Sequence, residues 1–70
     1  TIKEYYQLNF KYNRMNNVMR IIKEFNLEIV QTDFQLECKL IFAVLKSKAN
    51  TIESNFQKNH KIKIKYLKNL

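Results

Sequence analysis

The stretch Glu4–Phe25, EYYQLNFKYNRMNNVMRIIKEF, changes its period at Asn13, and that change decides the fold. From Glu4 to Tyr12 the chain alternates. Tyr6, Leu8, Phe10 and Tyr12 share one side, and Tyr5, Gln7, Asn9 and Lys11 share the other. Period two with one polar side is the pattern of a half-buried strand. From Met15 the apolar residues Met15, Val18, Met19, Ile22 and Phe25 follow helical spacing, with Asn16, Asn17, Arg20 and Lys23 on the wet side. Asn13 is the expected N-cap of this helix, and Asn26 the expected left-handed stop, because the chain has no glycine.

Working outward, Leu27–Thr32 is rich in β-branched residues and reads as a second strand, with a turn expected at Thr32-Asp33. Alternation returns from Phe34 to Leu45. Leu36, Cys38, Leu40, Phe42 and Val44 take one face, and Lys39, Ile41, Ala43 and Leu45 the other. Apolar residues on both faces place this strand centrally. Ser47 is the expected cap of a second helix reaching Lys58, with Ala49, Ile52 and Phe56 inward. Asn59-His60 makes a turn, and Lys61–Lys68 alternates again, Ile62, Ile64 and Tyr66 inward and Lys61, Lys63 and Lys65 outward. The order β-α-β-β-α-β with right-handed crossovers is the ferredoxin-like α+β arrangement. It has a four-stranded antiparallel sheet, the first strand flanked by the third and the last, and two helices on one face. One domain over residues 1–70 is expected.

Composition narrows the function. The chain is 46% apolar and 27% charged, an ordinary globular balance. No apolar run approaches the ~20 residues of a membrane span, so no membrane partner is expected. One cysteine excludes an internal disulfide, and without a signal peptide the expected setting is cytoplasmic. Thr1 is not an initiator methionine, which suggests a piece of a longer chain. Asn, Lys and Ile, all served by A/T-rich codons, number 9, 11 and 8. The net charge of +7 therefore has two sources open to it, an anionic partner or codon bias, and only the positions of the lysines separate them.

The run Asp33-Phe34-Gln35 resembles the aspartate-aromatic step that opens the third strand in the C-terminal domain of the YigZ/IMPACT family. The strand through Val44, the helix carrying Ile52 and Phe56 and the closing strand follow in that family's order. Upstream, the helix Met15–Phe25 and the strand Leu27-Glu28-Ile29-Val30 also match, so the resemblance covers Tyr5 to Leu67. Asn59 and His60 stand where the family often has glycine, and Lys46 and Ser47 where it often has proline. The resemblance implies an elongation-factor-G-like ferredoxin fold at the C-terminus of a longer protein. It also implies an N-terminal domain before Thr1, similar to one found in a ribosomal protein and in elongation factor G, and a role in translation regulation with nucleic-acid binding. It supplies no catalytic residue to carry over.

Side-chain chemistry agrees with a non-enzyme. His60 and Cys38 are the only soft ligands, and the six acids Glu4, Glu24, Glu28, Asp33, Glu37 and Glu53 show no paired spacing. Without glycine there is no phosphate loop, so no catalytic residue, metal or cofactor is expected. The informative cluster is Lys58, Lys61, Lys63, Lys65 and Lys68, a segment without an acid. Strand period sends Lys61, Lys63 and Lys65 to the side away from the helices, where Lys11 and Lys39 join them. Those five lysines are the candidate RNA or ribosome contacts. Edge-strand lysines that block unwanted strand pairing are the simpler reading of the same residues. Tyr5 is the only outward aromatic on the first and third strands, which argues against base readout of the kind other sheet modules use. Ile41, Ala43 and Leu45 form an apolar stretch on the same open side, with Val30 near it. They are the candidate protein interface, for the implied N-terminal domain or a second copy of the chain.

Overall fold

The computed structural model describes residues 2–69. Thr1 and Leu70, the limits of the domain expected over 1–70, lie outside the described residues. The elements are β1 (Lys3–Lys11), a 3-10 turn (Tyr12–Arg14), α1 (Met15–Glu24), β2 (Glu28–Asp33), β3 (Glu37–Leu45), α2 (Lys46–Gln57) and β4 (Ile62–Asn69). The strands form one sheet in the order β2-β3-β1-β4 with every neighbouring pair antiparallel. This is the ferredoxin-like α+β arrangement that the periodicities dictate. The radius of gyration, 11.1 Å, is that of a fully collapsed chain of this length, about 11 Å.

One layer of apolar side chains joins sheet to helices. Tyr6, Leu8, Phe10, Cys38, Leu40, Phe42, Val44 and Ile62 face Val18, Ile22, Ala49, Ile52 and Phe56. At its centre Phe42 is fully buried, stacked on Tyr6 at 5.7 Å and tilted against Phe56 at 5.6 Å. Among the described residues the other sheet face carries no helix.

Helix α1 ends as its sequence requires. Asn26 takes φ 53°, and the N–H groups of Asn26 and Leu27 donate to the carbonyls of Lys23 and Ile22. These two bonds make a Schellman closure with asparagine in the glycine position. The beginning of α1 differs from expectation. Asn13 does not cap it; the chain first makes the 3-10 turn, and no side chain caps the helix. That turn also ends the alternation of β1, so Tyr12 is exposed rather than inward. Ser47 likewise lies inside α2, whose first N–H, that of Lys46, donates to the carbonyl of Ile2.

The largest difference is at Phe34–Leu36. Asp33 closes β2 and does not open β3, and residues 34–36 are the connection between them. The Tyr12 N–H donates to the Leu36 carbonyl at 3.2 Å, which holds the end of that connection against the end of the β1–β3 pair. Leu36, expected inward, is 89% exposed. The Gln35 side chain donates to Asp33, and the Cys38 thiol to the Gln35 carbonyl, so the Asp-Phe-Gln run is a self-bonded turn.

Candidate nucleic-acid interface

The register sets the rows of the open face. Across β2, β3, β1 and β4 one row reads Asp33, Lys39, Asn9, Lys63. The next reads Gln31, Ile41, Gln7, Lys65, and the third Glu28, Ala43, Tyr5, Lys68. Lys11 and Glu37 pair beyond the first row. Lys63 and Lys65 thus project from β4 on the uncovered side, as strand period demands, with Asn9 and Gln7 beside them. Lys61 precedes β4, in a turn where its N–H donates to the Asn59 side chain. The Gln7 amide donates to the Asn9 side-chain oxygen at 2.8 Å, which leaves the Asn9 NH2 group as a donor.

Charge is unevenly spread over this face. β4 carries only cations, while the carboxylates Glu28, Asp33 and Glu37 sit on β2 and the first residue of β3. Among the described residues the one ion pair is Lys3 with Glu28, at 2.8 Å. The Glu28 carboxylate holds the Lys3 ammonium above its ordinary pKa by hydrogen bond and by charge. The lysines of β4 and Lys11 make no ion pair among the described residues.

Sequence alternation misses one cation. Strict period two places Lys68 on the side of Tyr66, toward the helices. A β-bulge opposite Tyr5 and Tyr6 inserts Leu67, and Lys68 returns to the open side opposite Tyr5. Its ammonium lies 5.5 Å from the centre of the Tyr5 ring. Nothing in the local sequence marks this bulge; it is visible only in the pairing of β4 with β1.

A cleft of about 340 Å³ closes one end of the open face. It is lined by Asn9, Lys11, Asn13, Arg14, Glu37, His60, Lys61 and Lys63. Arg14, Asn13 and His60 were not among the site residues expected from sequence.

The apolar candidates fare differently. Ala43 is buried between its neighbours, 4% exposed, and Ile41 and Leu45 are half-buried, so no broad apolar patch lies there. Exposed apolar side chains occur instead at Ile29, Val30, Phe34 and Leu36, along β2 and its connection to β3. Among the described residues no group of three potential metal ligands occurs, and no helix is long and apolar enough to cross a membrane.

Fold and face together define a class, a four-stranded α/β-plait with a basic open sheet. No family model matches the chain, and no curated protein matches it. Among solved structures, a crystal structure of a hypothetical protein superposes with a TM-score of 0.79 at 14% identity. The match covers 97% of this chain and 34% of the other, so this chain spans about a third of that neighbour's length. At this identity the likeness shows the fold.

Proposed function

We propose that this chain is a non-catalytic accessory domain, similar to the C-terminal domain of the YigZ/IMPACT family, that binds RNA through phosphate contacts in translation regulation. The observation that carries the reading is the row Lys63, Lys65 and Lys68 on one uncovered sheet face, with no acid on its strand. Lys11 and Lys61 stand near Lys63 at one end of the row, Lys39 lies two strands away across Asn9, and Asn9 and Gln7 add neutral donors beside the row. Successive outward lysines at 63 and 65 stand two residues apart, ~6.6 Å along the strand. That separation suits an extended backbone of repeated charges. Point-charge contacts of this kind position a strand without reading its bases.

Lys61→Glu/Lys63→Glu/Lys65→Glu is expected to abolish binding of a single-stranded oligoribonucleotide at low salt while leaving the circular dichroism spectrum intact. Wild-type chain that binds no oligoribonucleotide at low salt would refute the reading. A second reading rests on the exposed Ile29, Val30, Phe34 and Leu36: a protein contact at the β2 edge, with the N-terminal domain that the resemblance implies as its occupant. Ile41→Asp tests the contact as first expected on the open face. Leu36→Asp tests it where the apolar exposure lies.

A further inference from the structure

We infer that the cleft at the end of the open face binds a phosphomonoester, the terminal phosphate of a strand lying along β4. This rests on the phosphate-binding reading of that face and adds the chemical class of group that its end accepts. Three separate stretches of chain converge there: the exit of β1 with the 3-10 turn, the first residue of β3, and the turn before β4. Lys11, Arg14, Lys61 and Lys63 bring four cations against one carboxylate, Glu37. None of the four has an ion-pair partner among the described residues, although Glu37 stands directly across from Lys11.

Further hydrogen-bonding side chains join the cations. Asn13, which the sequence marks as a helix cap, makes no cap hydrogen bond and lines the cleft instead. Among the described residues the Asn9 NH2 group makes no hydrogen bond, and His60 sits in a turn where the Lys61 N–H donates to the Asn59 side chain at 3.0 Å. The first turn of α1, adjoining Arg14, carries no acid.

A phosphomonoester suits this arrangement better than an internal phosphodiester. It carries about −1.5 to −2 at neutral pH and three acceptor oxygens, where a diester carries a single charge. Arg14 supplies a planar fork for two of those oxygens, and the lysines supply point charges. Lys63 of β4 lines the cleft together with Asn13 and Arg14 of the 3-10 turn, and we place the end of a strand following the β4 lysines there.

The same chemistry could arrive on a free mononucleotide, so the test has two arms. In the first, fluorescence anisotropy compares a single-stranded oligoribonucleotide bearing a phosphate at one end, at the other end, or at neither. A phosphate at one end is expected to tighten binding roughly tenfold, and Arg14→Gln to remove that gain while leaving the unphosphorylated affinity unchanged. Lys61→Gln, at a residue shared by the face and the cleft, should reduce that gain and also weaken the unphosphorylated oligonucleotide, and Lys65→Gln should weaken all three oligonucleotides alike. In the second arm, amide spectra follow titration with inorganic phosphate and with a nucleoside monophosphate. Shifts at Lys11, Arg14, His60 and Lys61 without any end-phosphate gain would support the phosphomonoester with a free nucleotide as its source. Those shifts in a chain that binds no oligonucleotide would keep the cleft and refute the strand-binding face. Equal binding of all three oligonucleotides, together with no shift from either small phosphate, would overturn the inference while leaving the face intact.

Discussion

Neutralising the exposed lysines of β4 should change how binding depends on salt, by an amount the face sets. Lys63, Lys65 and Lys68 lie on the open side of β4, with Lys11, Lys39 and Lys61 around them. If each of these six lysines meets one phosphate of a single strand, the slope of log K against log salt is about −4, at roughly −0.7 per contact. Raising salt from about 50 to 200 mM then weakens wild-type binding roughly 300-fold. Lys63→Gln/Lys65→Gln/Lys68→Gln removes half the contacts, giving a slope of about −2 and a loss of roughly 20-fold over the same range. The assay is anisotropy of a labelled oligoribonucleotide at several salt concentrations. Because these side chains make no ion pair among the described residues, and the Lys68 contact with the Tyr5 ring is exposed and worth about 0.5–1 kcal/mol, thermal melts of the triple variant should fall only slightly, if at all, below wild type. A variant that keeps the wild-type slope refutes the contact assignment, whatever happens to its affinity at one salt concentration.

Four further outcomes follow from the packing. Phe42→Ala removes a fully buried ring held between Tyr6 and Phe56, and should cost about 3–5 kcal/mol. A domain of this length holds roughly 4–10 kcal/mol in total, so urea denaturation should show the variant largely or wholly unfolded. Asn26→Ala should cost about 1 kcal/mol by removing the short polar side chain that lets asparagine tolerate the left-handed region, whereas Asn26→Gly, which has no β-carbon, should match or exceed wild type in the same assay. Burial pushes the Tyr6 phenol from its ordinary 10 up to about 12, with Glu4 and Glu53 adding to the shift. The folded state therefore favours the protonated ring, so this contribution is whole below pH 10 and is lost as pH rises to about 12. Thermal melts across that window should fall more steeply for wild type than for Tyr6→Phe. Deleting Leu67 removes the extra bulge residue and leaves Lys68 opposite Tyr5, so both fold and oligoribonucleotide affinity should survive.

The two periods around Asn13 are enough to order the elements, because burial on one sheet face forces alternation and burial on one helix stripe forces helical spacing. The outward positions of Lys63 and Lys65 were legible for the same reason, whereas Lys61 lies in the turn before β4, beyond the reach of strand period. Leu36 was not legible, since the apolar alternation of β3 runs back through Leu36 and Phe34 without a break. Only the backbone bond from Tyr12 to Leu36 shows where the turn ends. Lys68 was hidden because a bulge is a property of two paired strands, not of one. Ala43 lies on the open side as period two requires, yet it is buried, because its small side chain stands between the larger residues paired with it, Tyr5 and Glu28. The cleft was invisible because Arg14 and His60 lie far apart in the chain and meet only once β1 and β4 pair.

The most direct test maps where a single-stranded oligoribonucleotide touches the isotopically labelled chain, residue by residue, by amide chemical shifts at low salt. Binding by the open face requires shifts at Tyr5, Gln7, Asn9 and Lys11 and at Lys61, Lys63, Lys65 and Lys68, with Val18, Ile22, Ile52 and Phe56 of the helices still. Shifts confined to the helices or to the β2 edge would contradict it.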